Sequence, residues 1–352
     1  MVSLCSMPAQ AASEVPTVKP KGKPWASGDG FRFGLNQKQE QQARQSLSGI
    51  ACTLNSSRQR VCLMVFDEGV QAHFATLGQQ ALTADPQGFD LRNQKSAELD
   101  AEGAATDGTY FYVTGSHSAK RDDCESAPGR RHVIRFRLDP ETGRAKHSPS
   151  GELDGYAQTG RLWSVMQSQP ELKGHLGEHR CLGAKGGGGV NIEGLAVKGQ
   201  RLYFGFRGPA KQRQAIILAV DAAALFGGGN VKARVTQLEV GKGRGIRDMV
   251  ATESGLLLLV GPDDDPSNQE RVDWMVAWWD GESRTSRPLA RFDLDGVQAR
   301  TLNAGTPRVC DDARRAKPEA MTVLEETPQT YRLLVLSDGL CDGGALEFEV
   351  KR

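Results

Sequence analysis

The sequence predicts an all-β protein with the architecture of a β-propeller, and three observations support this prediction. A short motif recurs five times along the 352 residues, each copy being a strand of small residues, a polar turn and a strongly apolar strand. The copies are separated by tens of residues, as in proteins built from repeated supersecondary units. The chain also contains 41 glycines, which suit a fold with many tight turns.

The first strand of each copy starts with a related tetrapeptide. The copies begin at Ser48, Glu102, Glu193, Asp248 and Glu319. The first copy is the weakest, because it has a serine where the others carry an acid. Small residues fit the innermost strand of a radial blade, since the blades crowd together at the axis. Tyr112, Phe204 and Leu258 lie on the second strands, about 4.8 Å further out, where larger side chains can fill the space between blades.

Further strands follow each apolar second strand. Alternating or continuously apolar runs predict third strands at residues 132–138, 215–220, 274–279 and 346–350, and fourth strands at 235–240 and 289–294. Five blades are visible. The copies are spaced more widely than a blade of roughly 40 to 50 residues requires, so six or seven blades are possible if the insertions hide strands. Helical spacing over 161–172 predicts a surface insertion, and residues 222–226 a single helical turn.

The last copy ends on a third strand and lacks an outer one. We expect residues 31–35, ahead of the first copy, to pair with residues 346–350. This pairing would close the ring by joining the termini and would limit exposed strand edges. Residues 26–352 are therefore predicted to form a single propeller domain.

The first 25 residues carry a compartment signal. Ala9-Gln10-Ala11 matches the A-x-A pattern of a signal-peptide cleavage site, although the charged and most of the apolar parts of such a peptide are missing. We interpret residues 1–25 as the remnant of a signal peptide followed by a disordered leader rich in proline and lysine. An ordinary disordered tail is the alternative.

The cysteines support export. Six remain when Cys5 is set aside with the leader, and an even number fits an oxidising compartment. The repeat places partners at matching ends of strands, which predicts the disulfides Cys52–Cys62, Cys124–Cys181 and Cys310–Cys341. We expect a periplasmic or secreted protein; six reduced thiols in a cytosolic protein are the alternative.

Composition argues against several classes of partner. The net charge is +1, and no block of like charge indicates a nucleic-acid groove. No apolar run approaches the roughly 20 residues that a membrane span needs. We expect a monomer whose partner is an unknown small molecule or protein.

Two segments carry a family resemblance. Residues 190–196 contain N-I-E-G-L-A, and residues 202–209 contain G-F-R-x-P. Together they resemble a bacterial family of uncharacterised function, which is similar to the esterase-like or phytase-like propellers. The resemblance covers roughly residues 45 to 352, implies a propeller fold and implies no established reaction.

Charged residues are predicted to converge on one face of the disc. Strand one leaves this face and strand two returns to it, so the start of one and the end of the other lie together. The expected ligand or channel-mouth residues are Glu102, His117, Glu193, Arg207, Arg247, Asp248, Glu319 and Asp338. Four acids at equivalent repeat positions are the expected metal ligands: Glu102, Glu193, Asp248 and Glu319.

Converging carboxylates suit Ca²⁺, which takes six to eight oxygen ligands. The alternative is structural: each carboxylate accepts backbone N–H groups of the next blade, or pairs with Arg207 or Arg247, and locks the ring.

Two functions therefore remain open. One is an exported binding or scaffold propeller with a ligand or cation site at one channel mouth. The other is a Ca²⁺-dependent phosphoester or ester hydrolase of the phytase-like type, in which the metal polarises the substrate and an acid acts as base. The sequence does not decide whether the protein is an enzyme.

Overall fold

A computed structural model describes residues 14–92, 98–183, 188–210, 213–268, 271–297 and 316–352 and shows a five-bladed β-propeller. The chain first forms β1 (Thr17–Val18). Blade one contains β2 (Leu47–Leu54), β3 (Arg60–Phe66), β4 (Gln71–Leu77), β5 (Leu82–Ala84) and β6 (Phe89–Asp90). Blade two contains β7 (Ala101–Thr106), β8 (Tyr110–Gly115), β9 (Val133–Arg137) and β10 (Ala157–Thr159).

The other three blades follow the same plan. Blade three contains β11 (Asn191–Lys198), β12 (Arg201–Gly208), β13 (Gln214–Asp221) and β14 (Ala233–Glu239). Blade four contains β15 (Arg244–Ala251), β16 (Leu256–Pro262), β17 (Met275–Trp279) and β18 (Arg287–Phe292). Blade five contains β19 (Lys317–Glu326), β20 (Thr330–Asp338) and β21 (Leu346–Lys351). Three helices are described: α1 (Gln37–Arg44), α2 (Arg161–Gln167) and α3 (Ala222–Phe226). The last two lie where helical spacing predicted them.

The first strand of each blade lies innermost, as predicted. β2, β7, β11, β15 and β19 contact one another in ring order, and β19 closes the ring on β2. Small residues are required here because the strands approach closely. A Cβ added to Gly103 would lie 2.8 Å from Leu195 Cβ and 2.9 Å from the Glu193 carbonyl oxygen. The side chains that fill the space between blades come from further out: Tyr112 and Phe204 share one buried cluster, and Leu258 lies in the next.

Each innermost strand has an irregularity near its start. Its pairing with the second strand shifts register by one residue, as at a β-bulge, which redirects a side chain. We call the residues at these shifts the bulge residues: Ser48, Glu102, Glu193, Arg247 and Glu319. In blade four, the equivalent of the three glutamates is therefore Arg247, and Asp248 occupies the next position, where blades two and three have glycine.

The termini close the ring, but with a different segment from the one predicted. β1 pairs in parallel with β18 of blade four. The amides of Lys21 and Trp25 then donate to the carbonyls of Glu347 and Ala345, at 2.7 and 2.8 Å, beside β21. Residues 31–35 do not supply this strand; Phe31 and Phe33 are instead buried in the cluster between blades five and one.

The prediction of an unpacked leader is therefore wrong for residues 17–25. Trp25 is buried, and Ala26 continues the contact by forming a bridge with Ala81 of blade one. The edge strands of three blades offer unpaired backbone groups, and this segment pairs with them. Residues 1–13, including the proposed cleavage site, lie outside the described residues.

Two of the three predicted disulfides are present. Cys52 and Cys62 are paired across β2 and β3, and Cys124 bonds Cys181. Cys310 lies outside the described residues, so its bond to Cys341 stays a prediction. In the described part of the chain, no helix is long and apolar enough to cross a membrane.

Candidate functional site at the channel mouth

A cavity of about 390 Å³ opens on the face where the innermost strands begin. We call it the mouth cavity. Its lining consists of Asp67, Glu102, Arg121, Leu182, Gly183, Glu193, Arg207, Arg247, Asp264, Lys317, Glu319 and Asp338. Four of these are bulge residues, and others follow or end the second strands of their blades. Alternating strand directions thus bring residues from all five blades to the axis.

Arg247 holds two of the acids. Its Nη2 donates to Glu319 Oε1, and its Nε lies 2.6 Å from Glu193 Oε2. The guanidinium also stacks over Trp274, with 5.2 Å from its central carbon to the ring centroid. Arg247 is only 1% exposed, so its charge is compensated by these carboxylates rather than by water.

Glu193 has a second arginine. Arg207 Nη1 donates to Glu193 Oε1 at 3.0 Å, and the Asn191 side-chain amide donates to the same oxygen at 2.9 Å. Asp264 lies close to the backbone of Gly208, where an added Cβ would collide with its carboxylate. Burial raises the pKa of Asp264 to about 7, although the Arg207 charge opposes this shift. Burial likewise raises the pKa of Glu319 to about 7, against the charge of Arg247.

Glu102 and Asp67 differ from these acids. Glu102 is 8% exposed, and within the described ranges no hydrogen bond or ion pair reaches its carboxylate. Asp67 Oδ1 is buried and has no hydrogen-bond partner in the same ranges. Burial, followed by the neighbouring carboxylates, raises the pKa of both groups well above the ordinary range. Within the described ranges neither carboxylate forms an ion pair, although the charge of Arg130 acts on Glu102. Asp264 Oδ1 is likewise buried without a hydrogen-bond partner in these ranges.

Two predicted site residues lie elsewhere. Asp248 is fully buried, and its carboxylate accepts from the Met249 amide at 2.7 Å and from the Met321 amide of blade five at 2.6 Å. It joins two blades, as the structural alternative proposed. His117 is fully buried as well, and burial lowers its pKa to about 3. Neither lines the mouth cavity.

The remaining predicted residue, Asp338, lies at the cavity wall and pairs with Lys317, with 3.0 Å between Nζ and Oδ2. Sequence reasoning missed Lys317, Arg121 and Asp264 as wall residues. Asp264 could have been found, because the run of acids 263–265 directly follows the second strand of blade four, at the end that returns to the mouth face.

The lining can bind cationic or hydrogen-bond-donating groups. It contains six carboxylates against four cationic side chains, a formal surplus of two negative charges when all are ionised. Across the described ranges, no group of three or more His, Cys, Asp or Glu side chains is arranged to hold a metal ion.

Comparison with known proteins gives a family but no reaction. A family model described as "Protein of unknown function (DUF3616)" matches residues 60–138 and 130–343. No curated protein sequence matches the chain.

Solved structures resemble the chain weakly. One is a mannose phosphorylase from Leishmania mexicana in complex with phosphate (TM-score 0.43, 11% identity, 94% of this chain and 88% of that chain covered). Another is a GH43 β-1,3-galactosidase (TM-score 0.45, 9% identity, 94% of this chain and 94% of that chain covered). A third is PhoX from Pseudomonas fluorescens in complex with vanadate (TM-score 0.32, 11% identity, 67% of this chain and 53% of that chain covered). With TM-scores below 0.5, these similarities support no argument about this chain.

Proposed function

The chain belongs to the DUF3616 family of proteins of unknown function, and we propose that it is an exported β-propeller that binds a small polar ligand in the mouth cavity. The cavity volume of about 390 Å³ lies at the lower end of the range for small-molecule sites. Pockets with a few convergent polar groups and displaced pKa values are the sites where ligands are expected.

One observation carries this proposal: Glu102 is a buried carboxylate that faces the cavity with no partner in the described ranges. Burying an acid without a partner costs free energy, so acids that serve only the fold are paired or hydrogen-bonded. Asp248 follows that rule, with two backbone donors. Glu102 does not, which is typical of a group kept for a ligand.

Export is supported by the two disulfides, since such bonds persist in oxidising compartments. A periplasmic or secreted binding protein is the interpretation that joins this observation to the cavity. Mapping the native disulfides in protein purified from whole cells, including the predicted Cys310–Cys341 bond, would test it.

The rival function is the Ca²⁺-dependent hydrolase. The sequence predicted that its metal would be bound by four carboxylates at equivalent positions of the repeat. In blade four this position holds Arg247, whose positive charge lies against Glu193 and Glu319. A hard cation would have to displace that arginine or use Glu102 and Asp67 with other oxygens. We therefore favour ligand binding, and we keep calcium as an arm of the test.

The test is a thermal-shift screen of the full chain with sugars, amines, amino acids and Ca²⁺. A compound that binds only the folded protein raises its melting temperature. The shift should vanish in Glu102→Gln and persist in Glu141→Gln, which makes the same change at an exposed turn. If every shift survives Glu102→Gln, the mouth cavity is not the binding site and the proposal fails.

A further inference from the structure

We propose that the ligand of the mouth cavity is a small organic cation, a primary amine or diamine, whose ammonium group is bound between Glu102 and Asp67. This inference rests on the proposed function and names its ligand class. It follows from which charges at the cavity are already compensated and which are not.

The ion pairs of the cavity lining lie on blades three to five. Glu193 and Glu319 share Arg247, and Arg207 adds a second contact to Glu193. On blade five, Lys317 holds Asp338. Three of the four cationic side chains of the lining are therefore already paired with carboxylates of the protein, and the fourth, Arg121, is exposed, which argues against an anionic ligand.

Within the described ranges, three acids of the lining form no ion pair: Asp67 on blade one, Glu102 on blade two and Asp264 after the second strand of blade four. Asp67 follows β3 and Glu102 lies on β7, and both side chains line the mouth cavity. The charge of Asp67 contributes to the raised pKa of Glu102. With every group ionised, these three acids exceed the remaining cation, Arg121, by the two negative charges of the formal surplus. A cationic ligand would supply the missing compensation in a site that is already largely buried.

An ammonium group fits better than a metal ion. An ammonium offers three donors and is satisfied by two or three acceptors at hydrogen-bond distance. Calcium needs six to eight oxygens at 2.3–2.6 Å. Within the described ranges, no three acidic, histidine or cysteine side chains converge in that way.

Binding should be coupled to protons. Both carboxyl groups have a raised pKa, so they hold protons more strongly than ordinary acids do. A cation favours the ionised form, so its binding releases protons, and its affinity rises with pH until both groups are ionised. A neutral ligand would not show this dependence.

Isothermal titration calorimetry of the full chain tests the proposal with putrescine, with the neutral diol of the same chain length, and with CaCl₂. We expect putrescine to bind saturably and the diol not to bind. Glu102→Gln and Asp67→Asn should each weaken putrescine about tenfold or more, since each removes a charge-assisted hydrogen bond. Glu141→Gln should bind as the unmodified chain does. In buffers of different ionisation enthalpy, the heats should differ in the direction of proton release.

Three results would overturn the inference: equal binding of the diol, binding of calcium without putrescine, or putrescine binding that both substitutions leave unchanged. The proposed function survives the first two if that binding depends on Glu102, and it falls with the third unless another compound in the screen needs Glu102. Circular dichroism of each variant establishes that it is folded before it is titrated. Glu102→Gln and Asp67→Asn are nearly isosteric and act at different blades, so a loss of putrescine binding in both folded variants is expected to come from the removed carboxylates.

Discussion

Two buried clusters of acids and arginines in this molecule differ in how completely they are satisfied. At the ring closure, Asp342 accepts hydrogen bonds from Ser27 Oγ at 2.9 Å, the Phe31 amide at 3.1 Å and Arg44 Nε at 2.8 Å, with a further bond from Arg44 Nη2. At the mouth cavity, Glu102 is about as deeply buried and has no such partner in the described part of the chain. The same residue types therefore serve the fold in one place and remain available in the other.

The contrast recurs inside the mouth cavity. Arg207 and Arg247 lie on blades three and four and hold Glu193 and Glu319, whereas Glu102 and Asp67 lie on blades two and one and form no ion pair within the described ranges. What separates the structural acids from the proposed binding acids is whether donors reach them, not their burial. Four substitutions or conditions test that distinction.

The largest loss of stability is expected at the ring closure, where Asp342 binds Arg44. Asp342→Asn leaves Arg44, which is 1% exposed, as a buried cation without its counter-charge. We expect a loss of about 3 to 5 kcal/mol in the free energy of unfolding, measured by urea titration. The control is Glu125→Gln, which breaks the exposed pair with Lys120 and should change little. An equal loss in both variants would contradict the assignment of a structural role to burial and pairing.

The second largest loss of stability is expected when Arg247 at the mouth cavity is replaced. Arg247→Met keeps much of the stacking on Trp274 but leaves Glu193 and Glu319 facing each other. We expect a loss of about 2 kcal/mol at neutral pH, smaller than at the closure because the acids can take up a proton. Urea titration at about pH 5 and pH 8 should show the larger loss at the higher pH. A loss that does not depend on pH would mean that the arginine acts through packing alone.

The titration of Glu319 should be visible in stability. Its pKa is raised from 4.5 to about 7 on folding, mainly by burial. Between these values the folded state binds more protons, so the contribution of Glu319 is present below pH 4.5 and is lost as the pH rises through 7. The buried His73 and His117, with pKa values lowered to about 4 and 3, act in the opposite direction.

The difference between the unmodified chain and Glu319→Gln isolates this effect. The melting temperature of the unmodified chain, relative to the variant, should fall by a few degrees from about pH 5 to pH 8. If the melting temperature of the unmodified chain instead rose with pH relative to that of Glu319→Gln, Arg247 would have to lower the pKa of Glu319 below its ordinary value.

The smallest effect is expected at the binding acid. Glu102→Gln removes an uncompensated charge and should leave the free energy of unfolding unchanged or raise it by up to about 1 kcal/mol. Thermal unfolding without ligand measures this, with Glu193→Gln as the paired comparison, which should destabilise. A clear destabilisation by Glu102→Gln would place that residue with the structural acids.

Asp248 was predicted to be a metal ligand at the channel mouth, and its actual position shows what the sequence could and could not predict. Matching the copies by their acids aligns Asp248 with Glu193. Matching them by the preceding isoleucines, Ile192 and Ile246, aligns Arg247 with Glu193, as the register shifts show. The strands themselves were predictable because alternating and apolar runs determine which residues can be buried. The pairing of charges at the cavity was not, since it depends on side-chain geometry across blades.

The N-terminal segment gives a second example. Its prolines and lysines are typical of a disordered leader, and sequence composition alone favours that interpretation. The segment is ordered because it pairs with backbone groups at the edges of β18 and β21. Such a partner is remote in the sequence and leaves no local pattern.

That segment also sets an order of events during synthesis. Lys21 contacts Glu349, 328 residues further along the chain. Lys21 and Trp25 must therefore lack their partners until blade five is made, and the ring can close only after blade five has left the ribosome. Until residues 17–25 pair with them, the outer edges of blades four and five are open to other strands. Chaperone dependence and aggregation during expression should therefore respond most strongly to changes in residues 17–25, although these residues lie far from the mouth cavity.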